Sequence, residues 1–358
     1  LAAEALLWRG DLQEARMDQL LAELYFRTGQ YRAGFETAKS AAIAFPSSPA
    51  IDTLTSEAQM QFESLFVDGK ADSLPPVDAL ALFYDFRSLT PPGQRGDQVI
   101  RNLAERLVKV DLLPQAAQLL KYQIDNRLDG AAKAQVATEL AVVYLANHQP
   151  EEALKTLNRS ELAQLPPNLD RQRRVLEARA LIDANRNDLA LDLLNSVTGR
   201  DADILRVQGY WNNKDYDAAS NLLEVMYSPD QADGNNPSLT SSGRMDLVKA
   251  AVGYALAGDK IGLSRLRAKF ADAMAQGAEW PMFDYVTSSI QPTTGPEFAK
   301  VLHAISGIDT LEAFLASYKQ VYGAEAPMTP NVAPANAPNA ATANAAAVAP
   351  APGTTPAG

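Results

Sequence analysis

Apolar residues return every three to four positions along most of this chain, and strand-like alternation of Val, Ile and Thr is nearly absent. That pattern predicts helices throughout and no sheet. The predicted helices span about 2–9, 12–28, 31–45, 49–68, 76–88, 95–109, 113–126, 130–147, 150–158 and 168–185. They continue at about 187–196, 201–212, 215–227, 239–257, 259–276, 279–290, 296–304 and 308–322. Local chemistry marks several ends. Pro150-Glu151-Glu152 places proline in a first turn followed by acids that suit the helix dipole, Ser47-Ser48-Pro49 offers a cap, and Asp97 and Asp201 are candidate caps.

The stretch from Asp18 to Pro46, DQLLAELYFRTGQYRAGFETAKSAAIAFP, carries Ala22, Tyr25, Gly29, Tyr31, Gly34, Ala38, Ala41 and Pro46. Small residues let two antiparallel helices approach, aromatics fill the seam, Gly29 permits the turn and Pro46 ends the second helix. With Gly29 as anchor, similar turns are predicted at Asp111, His148, Asn185, Lys214 and Gly258, spaced 37, 37, 29 and 44 residues apart. Four residues before these five stand Leu107, Tyr144, Leu181, Tyr210 and Tyr254. Five residues after stand Ala116, Ala153, Ala190, Ala219 and Leu263. This arrangement resembles the tetratricopeptide repeat, although the tryptophan of that family's first helix is missing throughout. The resemblance covers roughly residues 1–275 and implies an all-α, right-handed α-α superhelix, a TPR-like solenoid of helical hairpins in which each repeat buries its apolar face on the next.

Two stretches interrupt the regularity: residues 69–96, which contain LPPVD and TPPGQRGD, and a polar loop from Ser228 to Gly243. Residues 276–325 read as amphipathic helices, with Leu311, Phe314, Leu315, Tyr318 and Tyr322 on one face, and are expected to close the array as a cap. From Ala326 to Gly358 the chain is chargeless and dominated by Ala, Pro, Asn and Thr, so a disordered tail is expected over 326–358. The opening, LAAEALLWRGDLQEA, looks like the end of a repeat's first helix with Gly10 as its turn and Ala15 as its packing residue, so the array is expected to begin before Leu1.

Charge and composition narrow the function. With 32 Lys and Arg against 43 Asp and Glu the net charge is −11, and Arg171, Arg173, Arg174 and Arg179 are interleaved with Asp170, Glu177 and Asp183. They read as a solvated helix face, and nucleic acid is not an expected partner. There is no cysteine, which excludes disulfides, thiolate metal sites and thiol nucleophiles. No apolar run reaches the roughly 18 residues a membrane span needs. Membrane association is expected only through a partner or a part preceding Leu1. The tail composition and absent cysteines point to an extracytoplasmic, periplasmic bacterial setting in envelope, secretion or motility machinery, with the cytoplasm as the alternative.

Candidate chemistry is sparse. His148 reads as a turn residue and His303 as a packing or surface residue; neither has a second histidine at helical spacing. GYALAGDK, 253–260, lacks the ending and the preceding strand of a phosphate loop. Glu151-Glu152 and Asp215 with Asp217 sit at helix starts. No catalytic, cofactor or metal residue is assigned. What the resemblance implies is a protein- or peptide-binding scaffold whose concave face is lined by the first helix of each repeat. That mapping takes Arg16, Gln19, Glu23, Phe26 and Arg27 from the strongest repeat. Later repeats supply Arg101, Glu105, Gln172, Arg179, Asp183, Gln208, Trp211 and Asn212, with Trp211 the expected anchor. Gln19 and Glu23 stand where the family's carboxylate clamp wants Lys and Asn, so chaperone tails are not expected. A glycan-binding or glycan-cleaving superhelix and a structural spacer of a longer chain are the alternatives.

Overall fold

The computed structural model describes residues 12–228, 239–288, 295–306 and 311–322. The helix predicted at 2–9 with its Gly10 turn, most of the polar loop and the tail at 326–358 lie outside the described residues. Among the described residues there are 17 α-helices and no strand. The first hairpin is α1 (Leu12–Arg27) with α2 (Tyr31–Ala44). α3 (Pro49–Val67) and α4 (Pro76–Asp85) follow, with short 3-10 turns at Lys70–Ser73 and Arg87–Leu89. Then come five hairpins: α5 (Gln94–Lys109) with α6 (Leu113–Asn126), α7 (Gly130–Ala146) with α8 (Pro150–Arg159), α9 (Pro167–Asp183) with α10 (Asn187–Leu194), α11 (Arg200–Asn212) with α12 (Tyr216–Met226), and α13 (Ser241–Ala257) with α14 (Lys260–Met274). α15 (Trp280–Thr287), α16 (Pro296–Ser306) and α17 (Leu311–Tyr322) complete the set.

The second helix of a hairpin packs on its own first helix and on the first helix of the next: α2 on α3, α6 on α7, α8 on α9, α10 on α11, α12 on α13. First helices also pack side by side, α1 with α3, α3 with α5, α7 with α9 and α9 with α11. This is a contiguous array in which apolar faces are shared between neighbours.

All six anticipated turn residues have positive φ: Gly29 (73°), Asp111 (61°), His148 (55°), Asn185 (58°), Lys214 (63°) and Gly258 (75°). In each, the N–H one residue later donates to the carbonyl five residues back. Gln30 to Tyr25, Gln149 to Tyr144 and Arg186 to Leu181 are all 2.8 Å. The turn residue itself donates to the carbonyl three back, as Asn185 does to Ile182 at 2.9 Å. These paired bonds satisfy carbonyls that a helix end otherwise leaves open, so one local motif ends every first helix. The bulky residue four before the anchor supplies the long bond's acceptor.

The small residue after the turn lets the two helices close. Ala116, Ala153, Ala190 and Ala219 are fully buried. A Cβ on Gly34 would sit 2.5 Å from a ring carbon of Phe26. In the last hairpin Leu263 does not hold this place. Gly262 does: a Cβ there would lie 2.6 Å from the Tyr254 ring. Asp259, whose carboxylate accepts from the N–H groups of Ile261 and Gly262 at 3.0 Å each, caps α14 there.

Near α3, aromatics replace alanines. Phe35 lies 5.1 Å from Phe26 and 5.6 Å from Phe62, and Phe62 lies 6.1 Å from Phe83, so the interrupted region is tied by rings across α1 to α4. One apolar core runs from Ala15 to Leu205 and a second from Val207 to Ile305; they meet within α11.

Two expectations are corrected. Asp97 and Asp201 do not cap their helices, whose cap positions are Gly93 and Gly199. Asp97 accepts from Arg127 at 2.9 Å, and Asp201 pairs with Arg171. Nor do all four arginines of α9 lie on a solvated face: Arg171 and Arg174 are partly exposed, but Arg173 and Arg179 are buried. Arg173 is 7% exposed and Arg179 is 4% exposed, because α9 is enclosed by α7, α8, α10 and α11. Arg173 donates to the carbonyls of Ala134 (2.9 Å) and Leu157 (2.7 Å) and to the hydroxyls of Thr138 and Ser160, joining three helices.

Candidate functional site

The first helices α7, α9 and α11 present a common face, and α17 lies on it. Leu311, Phe314 and Tyr318 pack against the first core, and α17 meets α7 directly. α15 and α16, by contrast, pack on α13 at the end of the array. α17 therefore does not extend the terminal stack. It turns back across helices that precede it by more than a hundred residues.

Phe314, Tyr318 and Tyr322 fall four residues apart and stack as a ladder, with ring centroids 6.0 and 4.7 Å apart. The host meets each rung. The Arg179 guanidinium lies 5.2 Å from the Phe314 centroid, a cation–π arrangement. Arg179 is held by Asp183 at 2.9 Å and donates to Gln208 at 2.9 Å. Tyr322 has the Arg171 guanidinium 5.5 Å from its ring, and its hydroxyl donates to Asp201 while accepting from Arg171. Burial pushes the Tyr318 phenol above its usual range, with the nearby charges of Tyr322, Glu139 and Asp201 acting the same way.

Beneath the ladder, Oε1 of Glu139 on α7 is buried and has no hydrogen-bond partner. Burial pushes the Glu139 carboxyl up to about 7; Arg101 opposes that rise and Glu105 adds to it. Beside the ladder a cavity of about 350 Å³ stays open, bordered by Arg200, Ile204, Tyr227, Asp246, Phe314 and Ser317. Its far wall is cross-linked: the Arg200 guanidinium sits 4.7 Å from the Tyr227 ring, and the Tyr227 hydroxyl donates to Asp246.

Of the residues expected to bind a partner, Arg179 and Gln208 meet on this face. Phe26 does not: it is 6% exposed and wedged against Phe35 in the first hairpin's seam. Glu23 and Arg27 pair at 2.6 Å on α1; burial, and after it the charge of Glu23, raises the carboxyl of Glu57 on α3, with Arg27 opposing the rise. Trp211 is half-buried between repeats, edge-on to Tyr216 at 5.1 Å, with the Lys249 amine 4.9 Å from its ring. These contacts place its ring at the joint of α11, α12 and α13. Asn212 is exposed at the hairpin tip, 3.2 Å from Asn187.

Sequence reasoning placed the aromatic face of α17 at the end of the array and left Glu139, Arg171 and Asp201 out of the groove. The ladder itself was the readable signal, because a face of rings at four-residue spacing needs a host; which host is a non-local matter. Among the described residues no group of three His, Asp or Glu is placed to hold a metal ion, and no helix is long and apolar enough to cross a membrane. Comparison with known protein families, with curated proteins and with solved structures finds no match for this chain. The fold and this face define an all-helical hairpin array that holds a helix on its first-helix side.

Proposed function

We propose that the protein is a non-catalytic scaffold of TPR-like design that binds a segment of a partner protein on the face of α7, α9 and α11. The observation that carries this reading is that the face already holds a helix. It does so with the devices of an interface: a half-buried aromatic face, a cation–π contact and a two-sided grip on a tyrosine hydroxyl. The envelope setting belongs to the same proposal and rests on the cysteine-free composition and the makeup of the tail.

The test is affinity capture with the full chain, comparing wild type with Arg179→Ala/Gln208→Ala and with Arg27→Ala. Arg27 belongs to an exposed ion pair at the other end of the array, so its loss should leave binding intact. Partners lost only from the double variant, with its helical content unchanged by circular dichroism, are the expected result. Retention of every partner by the folded double variant refutes the reading.

A further inference from the structure

The binding face is occupied by a single helix from the same chain, and three features mark that occupant as displaceable. First, α17 completes no hairpin. The first core runs through α7 to α11 with its own buried seams, and the 12 residues of α17 lie across it with Ala313, Ala316, Lys319 and Val321 facing out. A helix of that length is marginal alone, so once displaced it has little structure of its own to keep. Second, the seat is incompletely filled: Phe314 is only partly buried and the cavity of about 350 Å³ lies along it. Third, the fit is incomplete at its floor, where the buried Oε1 of Glu139 receives no hydrogen bond from a protein donor. A ligand that brought a donor to that oxygen would gain what α17 leaves unmade.

We propose that α17 is a built-in competitor, and that the partner is an amphipathic helix with aromatic side chains at i, i+4 and i+8 and a hydrogen-bond donor directed at Glu139, which binds by displacing α17. This rests on the scaffold reading and names its ligand class. The recognition follows from the seats: Arg179 takes the first ring, the pocket over α7 the second, and Arg171 with Asp201 selects a hydroxyl on the third. A phenylalanine at that last place would leave Asp201 and Arg171 without the hydroxyl between them.

The experiment uses a labelled synthetic peptide with the sequence of residues 311–322, titrated into the full-length protein by fluorescence anisotropy. A face already filled binds with an affinity reduced by the fraction of open molecules. Disabling α17 by Phe314→Ala/Tyr318→Ala should therefore tighten peptide binding by about tenfold or more. Tyr322→Phe, which keeps the packing and removes only the gripped hydroxyl, should tighten it by a smaller factor. Adding Arg171→Ala to the double variant should weaken binding again. Equal affinity for wild type and both variants, or binding to none of them while hydrogen exchange shows α7–α11 folded, overturns the proposal. Light scattering supplies a further arm: wild-type dimers that the peptide dissociates would assign the face to a second copy's α17 and also overturn it. Finally, the peptide should release partners captured through the Arg179 and Gln208 face. If partners depend on those residues but the peptide neither binds nor releases them, this inference fails and the scaffold reading stands. If the peptide binds and no partner depends on the face, the scaffold reading fails and carries the competition with it.

Discussion

Lys214 and Gly258 perform the same turn with different side chains, and the difference is measurable. A non-glycine residue in the left-handed region pays for the crowding of its Cβ, so Lys214→Gly should raise stability by up to about 1 kcal/mol, the gain being trimmed by the added freedom of the unfolded chain. Gly258→Ala should lower it by about 1–2 kcal/mol. No atom lies within 4 Å of the added Cβ, so that loss is conformational and not steric. Gly262→Ala tests the opposite case. In an open helix alanine is favoured over glycine by roughly 1 kcal/mol. Here the methyl group meets the Tyr254 ring at 2.6 Å, and destabilisation is expected instead. Urea unfolding of the three variants distinguishes these outcomes by sign. All six turn positions could be read from the chain because the motif is local: a bulky residue, a turn residue and a small residue within ten positions carry the whole geometry.

Between helices, arginines do the joining that composition hides. Arg173 ties α9 to α7 and α8. Arg206 donates to the carbonyls of Leu194 and Val197 at the end of α10, Arg106 reaches the carbonyls of Ala71 and Leu74, and Arg244 pairs with Glu279 at 2.6 Å. Arg206 meets the carbonyls that close α10, where a helix end carries partial negative charge, whereas Arg244 meets a carboxylate at the N-cap of α15. Arg173→Met should cost about 1.5–3 kcal/mol, since it removes the charged hydrogen bonds that join α9 to α7 and α8, while the Ala134 and Leu157 carbonyls keep their bonds from Thr138 and Ser160. Arg27→Ala, which opens an exposed pair, should cost about 0.5 kcal/mol or less. Denaturant midpoints for the two variants test this, and hydrogen exchange should place the Arg173 loss on α7–α9. The sequence pattern missed these roles because α9 is covered on several sides, and a helical wheel assigns each residue to one face only.

The assembled molecule adds a dependence on pH. Glu139, with Arg101 and Glu105 from α5 and Tyr318 from α17 around it, is held up to about 7 in the folded, docked arrangement. A carboxyl rehydrated by departure of α17 returns toward its usual value near 4.5. The docked state thus binds the proton more tightly. Docking is strongest below the usual value, weakens as pH climbs from there to about 7, and levels off above. Amide exchange of residues 311–322, corrected for intrinsic rates, should show protection falling between pH 5 and pH 8. Glu139→Gln should flatten that profile. A wild-type profile that is flat, or that rises with pH, would refute the coupling.

The helical class, the hairpin turns and the direct stacking of neighbours were determined by the sequence itself, since each depends on residues within one turn or one hairpin. Arg179 and Gln208, taken from equivalent sides of successive first helices, lie 2.9 Å apart. Tertiary structure alone decided that Phe26 and Trp211 fill seams, that Arg173 is buried, and that α17 folds back onto α7 to α11. Those outcomes depend on which surfaces meet across tens to more than a hundred residues. An amphipathic pattern states that a face must be covered, and only the competition among all available surfaces settles what covers it.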